Sequence, residues 1–188
     1  MRLILASASQ RRLDLLARIG IIPDAVVPAD IDETPRPGEL AAPYAARMAA
    51  EKAAAVPGGG ALVLAADTVV AAGRRLLPKT EDAAEARDAM ALLSGRRHRV
   101  YSAVTLVDPE GRARHRISLT TVTFKRLSAA ELDAYIASGE WRGKAGGYAI
   151  QGRAEALVRN ISGSHSGIIG LPLFETRALL LAAGWPFD

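Results

Sequence analysis

Residues 61–72 read ALVLAADTVVAA. The run is apolar at odd and even positions alike, the pattern of a strand covered on both faces. Such strands sit inside sheets that carry helices on both sides, so this one stretch argues for an α/β fold. It also holds one polar dipeptide, Asp67-Thr68. A carboxylate inside a two-sided apolar strand is costly unless it is paired or bound to a metal ion, and buried acids of this kind cluster at functional sites. The alternative is an Asp67 at a strand end, hydrogen-bonded to a local turn.

Working outward toward the N-terminus, PGGG at 57–60 breaks an alanine-rich helix expected over 40–55, with Tyr44 and Met48 spaced for a buried face. Before it lies ADIDETPRPGE, 29–39, an exposed loop with four acids, preceded by a short strand at 24–27. A first strand, Leu3 to Ala6, runs into SASQRR and a helical pattern at Leu13, Leu16 and Ile19, stopped by Gly20. Toward the C-terminus, Gly73 turns the central strand and 74–77 returns as a hairpin. A helix over 81–93 follows, then strands over 99–107 and 117–124 around a turn at 108–111. Ser128 and Glu131 form a capping box for a helix reaching about residue 137. A glycine-rich stretch, a strand at 156–161, a glycine-serine loop and a helix over 172–183 complete the chain. Alternating strands and helices with paired strands in the second half predict one α/β domain over 1–188 on a mixed sheet, with room for two lobes around a cleft.

The 188 residues include no cysteine, which excludes disulfides, thiolate metal sites and cysteine nucleophiles. The apolar part of MRLILASAS is too short for a secretory signal and meets two arginines at once, and no apolar run approaches about twenty residues, so a cytoplasmic protein is expected. Net charge is +4, but the basic residues fall in scattered pairs and only nine residues are aromatic, four Tyr, three Phe and two Trp. Nucleic acid is therefore disfavoured as a partner, and no basic amphipathic helix suggests a membrane surface.

Several stretches could carry phosphate chemistry. Arg11 and Arg12 open a helix where the macrodipole disfavours cations. With Ser7 and Ser9 they would suit an oligophosphate; otherwise they are solvated surface residues. Asp32-Glu33 together with Asp67 offers oxygen ligands for a hard cation such as Mg2+, although alone the pair is simply solvated. Lys52 and Lys79 gain meaning only if phosphates lie nearby. In KAGGYAIQG, 144–152, Lys144 could contact phosphate and Gln151 could read a base, with glycines allowing close approach to a ligand; a purely structural glycine loop is the alternative. GSHSG at 163–167 carries His165 where a nucleophile elbow needs serine, so no hydrolase triad is supported. His98, His115 and His165 have no metal-ligand spacing and are expected to be solvated.

Taken together, LASASQRRLDLL at 5–16, DE at 32–33, EKA at 51–53, AADTVV at 65–70, LPK at 77–79, LSGRRHRV at 93–100, KAGGYAIQG and GLPL at 170–173 resemble the Maf family of nucleoside triphosphate pyrophosphatases. The resemblance implies an elongated mixed sheet flanked by helices with a central cleft, like that of the inosine triphosphate pyrophosphatases. It implies hydrolysis of a nucleoside triphosphate between the α and β phosphates, with a divalent cation, Mg2+ or Mn2+, in a homodimer. It carries Asp67 onto the family's general base, and Arg11, Thr68 and Gln151 onto positions linked to substrate choice. Ser7, Arg12, Glu33, Lys52, Lys79 and Lys144 match the phosphate and metal shell, with Lys52 and Lys79 beside Asp67 as catalytic candidates and Glu33 with Asp67 as metal ligands. Asp67-Thr68 with AIQG at 149–152 looks like the branch acting on dTTP and UTP. Gln10, Thr80 and Ser102-Ala103 depart from the family's usual proline, proline and Thr-Gly. The rival expectation is a nucleotide-binding regulator of cell division that does not catalyse.

Overall fold

The computed structural model describes residues 1–187. The 61–72 stretch forms β3, Leu62–Ala72, in the interior of the sheet. On one side it pairs in parallel with β1, Leu3–Leu5, which in turn pairs in parallel with β2, Ala25–Val26. On the other side it runs antiparallel to β5, Arg97–Val107, followed by β6, Ala113–Phe124, and β7, Val158–Ser162. A short β4, Arg75–Leu77, folds back on the end of β3. Among the described residues this is a seven-stranded mixed sheet, as expected.

The two parities of β3 bury against different helices. Even residues Leu62, Leu64, Ala66 and Val70 join the larger core with α1, Gln10–Arg18, α3, Ala83–Leu93, α4, Ala129–Ser138, and a C-terminal helix, Leu173–Ala182. Odd residues Val63, Ala65, Val69 and Ala71 lie beneath α2, Ala41–Ala55. Ala41, Ala45, Ala49 and Ala53 form the buried stripe of α2, with Met48 and Lys52 beside it at the same helical spacing. A cation in that row is the one part of the pattern that apolar packing does not explain.

Local signals account for most element ends. Asp82 caps α3 by accepting from the backbone of Ala84 and Glu85, both at 2.9 Å, so this helix begins two residues later than the apolar spacing suggested. The Ser128–Glu131 capping box is present. The strands around the 108–111 turn start earlier and run longer than expected, because Arg97, Ala113 and Arg116 pair in the ladder with exposed side chains. The strand expected at 156–161 is preceded by a 3-10 turn, Arg153–Leu157. The glycine-serine loop is in part a five-residue helix, α5, His165–Ile169, and the C-terminal helix is therefore α6.

Candidate active site

The site lies where β3 lacks a neighbour. On that side β1 pairs only with Leu62–Leu64 and β4 only with Val70–Ala72, so the middle of β3 faces open space. A cleft of about 730 Å³, including its mouth, opens there and is lined by Asp67, Thr68, Arg11, Arg12, Lys52 and Lys79, with Ser9, Lys144 and Gln151 at its rim. A second hollow lined by Ser7, Ser9, Arg12, Lys52, Lys79 and Glu33 continues from it.

Asp67 and Lys52 meet because each occupies the apolar pattern of its own element. Asp67 is an odd residue of β3 and faces α2, where Lys52 stands in the buried row; the ammonium donates to Asp67 Oδ1 at 2.7 Å. Both residues are over nine-tenths buried. The same ammonium lies 3.0 Å from Glu33 Oε1, whose other oxygen is 3.8 Å from Lys79 Nζ. Burial pushes the Glu33 carboxyl up, but the hydrogen bond and charge of Lys52, with Lys79 and Arg12 behind them, outweigh it and hold the group below its usual range.

Glu33 comes from the acidic loop, which α2 staples in place. The Tyr44 hydroxyl donates to the Glu33 carbonyl at 2.6 Å, and Arg47 donates to the Thr34 carbonyl at 3.1 Å. Arg47 also forks onto both oxygens of Glu39, at 2.8 and 2.6 Å, holding that carboxyl down to about 2. Asp32, read as part of the acidic pair, turns away and accepts from the backbone of Thr34. Two carboxylates converging on one ammonium fit a hard cation that takes its remaining ligands from phosphate and water. Among the described residues no group of three or more His, Asp or Glu is placed to hold a metal ion.

Arg11 and Arg12 are half-buried, and burial lowers the pKa of both, with Asp67 working against this for Arg12. Ser9 occupies the N-cap position, but its hydroxyl caps nothing; its N–H instead donates to Ser7 Oγ at 3.1 Å. Arg12 donates through Nε to the Gly170 carbonyl at 2.8 Å and through one terminal nitrogen to Ser7 Oγ at 2.9 Å. Arg11 donates through Nε to the Ile169 carbonyl at 3.3 Å. These carbonyls, at the end of α5, carry no side-chain signature and were invisible in the sequence; only the glycine-serine run marked the place. Lys144 donates to the Arg142 carbonyl at 3.0 Å, and burial with the nearby Arg11 lowers its pKa.

Two expectations change. The glycines of 144–152 approach protein, not ligand: a Cβ on Gly146 would stand 2.9 Å from Val70 Cγ1, at a φ of +70° that side chains resist, and one on Gly152 would strike the Glu140 carboxylate. The loop is thus packed against β3 and α3, which delivers Lys144 and Gln151 to the rim. His98 is not solvated. It lies on the larger core face beneath Tyr148, 2.8 Å from its hydroxyl, and burial pulls its pKa down to about 4. His115 and His165 are exposed as expected.

A sequence profile described as Maf-like protein matches residues 2–183. The chain belongs to the Maf family. It is 62% identical to a dTTP/UTP pyrophosphatase of Rhodospirillum rubrum over 97% of this chain and 88% of that protein. It is 60% identical to a dTTP/UTP pyrophosphatase of Zymomonas mobilis over 99% of this chain and 93% of the other. Among solved structures, a HAM1 protein from Coxiella burnetii aligns over 97% of this chain and 98% of its own, with a TM-score of 0.51 at 16% identity. That likeness is one of fold, and it agrees with the mixed sheet and cleft expected of a Maf protein. Among the described residues no helix is long and apolar enough to cross a membrane.

Proposed function

We propose that this Maf protein hydrolyses dTTP and UTP at the α–β anhydride, releasing the nucleoside monophosphate and pyrophosphate. One observation carries the reading. Five cations, Arg11, Arg12, Lys52, Lys79 and Lys144, surround a cleft whose floor holds a nearly buried carboxylate, Asp67. The relatives named dTTP/UTP pyrophosphatase, near 60% identity over almost the whole chain, support the same substrates.

In this reading the guanidinium and ammonium groups bind the phosphates and meet the charge that develops on the departing pyrophosphate. Lys52 holds Asp67 through Oδ1 and keeps it oriented, leaving Oδ2 to take a proton from the attacking water. The water's oxygen forms a new bond to phosphorus as the anhydride P–O bond breaks, and its proton passes to Asp67. Mg2+ or Mn2+, carried in with the triphosphate and held by Glu33 and Asp67, would supply further charge neutralisation. Thr68 and Gln151, on the far side of β3 from Lys52, serve base selection. The homodimer implied by the resemblance and a cytoplasmic location belong to the same proposal; sedimentation equilibrium tests the first.

The direct test is pyrophosphate release from dTTP and UTP by the purified protein with Mg2+ or Mn2+, alongside Asp67→Asn. Turnover by the parent and its loss in the variant are expected. Nucleotide binding without pyrophosphate release would instead favour a non-catalytic regulator.

A further inference from the structure

Thr68 and Ser102 stand opposite each other in the β3–β5 ladder, and their hydroxyl oxygens are 2.8 Å apart. Ser102 also lies 2.5 Å from the carbonyl oxygen of Gly167 in α5. A carbonyl only accepts and a serine has a single hydroxyl hydrogen, so Ser102 donates to Gly167. That choice fixes the next one. With its hydrogen committed, Ser102 can only accept from Thr68, and the Thr68 hydroxyl hydrogen is committed in turn. What Thr68 can still offer a ligand is lone pairs.

The relay has reasons to hold its direction. Ser102 is 1% exposed, so no bulk water competes for it. Gly167 lies in a five-residue helix in which the N–H of Leu171, four residues on, bonds Ser166 instead, and the carbonyl is free to accept. Thr68 lines the cleft beside Val70 and Ile168, on the opposite face of β3 from Asp67, which gives the cleft an apolar half next to its phosphate half.

We infer that Ser102 is a positioning residue that locks Thr68 as a hydrogen-bond acceptor, so that the apolar half of the cleft selects a pyrimidine whose ring nitrogen N3 carries a hydrogen. This rests on the nucleotide reading above and deepens it. Uracil and thymine present N3–H at that edge. Cytosine presents a lone pair at N3, which would face the lone pairs of Thr68. Ser102 never touches the base; it acts by denying Thr68 the rotation that would turn it into a donor.

The experiment measures kcat/KM for UTP and CTP with the parent protein, Ser102→Ala, Ser102→Thr and Ser102→Cys. The parent's preference for UTP over CTP should fall about tenfold in Ser102→Ala, the size of one neutral hydrogen bond, because the freed Thr68 hydroxyl can rotate to donate to cytosine N3. Ser102→Thr keeps the hydroxyl and should retain the preference. Ser102→Cys, which keeps the volume but donates weakly, should fall between and serves if the alanine variant does not fold. Thermal stabilisation by pyrophosphate should be equal in all four, since the phosphate half is untouched. A UTP-to-CTP ratio that stays at the parent value in both the alanine and cysteine variants overturns the relay. A parent protein that releases no pyrophosphate from UTP or dTTP overturns the nucleotide reading instead.

Discussion

Replacing Asp67 with asparagine separates the energetic role of the buried pair from its chemical one. Two unit charges about 4 Å apart attract by roughly 4 kcal/mol at an effective dielectric constant near 20, but most of that gain offsets the desolvation of both ions. Removing one member of a buried pair typically costs about 3–5 kcal/mol because the survivor is left without a counter-charge. Here the survivor, Lys52, keeps Glu33 at 3.0 Å, and an asparagine oxygen can still accept from it. The expected loss is therefore smaller, about 2 kcal/mol, and for a domain of this size that lowers Tm by about 4–8 °C. Turnover should fall far more steeply, by about 10²–10⁴, because an amide cannot take a proton from water. Thermal melts and pyrophosphate release at 25 °C, where the variant is still folded, separate the two effects. The double variant Lys52→Met/Asp67→Asn should lose about 1–2 kcal/mol less than the sum of the single losses, since it removes both charges. An Asp67→Asn protein that turns over dTTP at the parent rate refutes the proton-acceptor role; an unchanged Tm refutes the energetic argument for the pair.

Three further outcomes follow from the same geometry. Arg12→Ala removes the donor to Gly170 and Ser7 together with a phosphate ligand, so kcat/KM for dTTP should drop by about 10², and steady-state kinetics within threefold of the parent would contradict it. Pyrophosphate at a hundred times its Kd should stabilise the protein by about 2.7 kcal/mol, a Tm rise of about 5–10 °C; a rise that did not shrink in 0.5 M salt would exclude an electrostatic cradle. His98 titrates near 6.5 when unfolded and, by burial, at about 4 when folded. The unfolded state thus binds the extra proton between those values, so stability is complete above about pH 6.5 and falls as the pH drops toward 4, by about 3 kcal/mol from this group. Melts of the parent and of His98→Phe across that range should diverge, with the variant flatter; parallel curves would show that His98 does not titrate as argued.

The fold was legible where burial imposed a period. The two-sided apolarity of 61–72 announced an interior strand, and the alanine spacing of 40–55 announced α2, because side-chain pattern and packing were the same fact there. It was less legible where pairing is carried by the backbone: Arg97 and Arg116 extend β5 and β6 with exposed side chains, which hydropathy reads as loop. In the site, charged residues inside apolar patterns stood out, Asp67 above all. Lys52 was less conspicuous, since a lysine near a helix end is common and its row became visible only once the buried face of α2 was known. His98 was misjudged because its neighbours, arginines at 97 and 99, are exposed on the alternate parity of the same strand. The α5 carbonyls that hold Arg11 and Arg12 have no sequence signature at all.

Those carbonyls also explain how a helix can begin with two arginines. The first turn of α1 contains no acid, and the cations there oppose the macrodipole. Each guanidinium, however, spends its Nε on a carbonyl at the end of α5, at Ile169 or Gly170, so the unfavourable end of one helix is offset by acceptors from another. A guanidinium has a second edge, and this matters for the ligand. Arg11 retains both terminal nitrogens, whereas Arg12 has committed one of its own to Ser7. In the proposed reading the phosphates meet forks already held in position, so less side-chain ordering has to accompany binding. An ammonium concentrates its three donors on one atom and has no rigid fork, so lysine at either position would lose the planar two-edged geometry even though it could still reach more than one acceptor. On the proposed function, the arginines at the start of α1 serve the empty fold through one edge and the bound phosphates through the other.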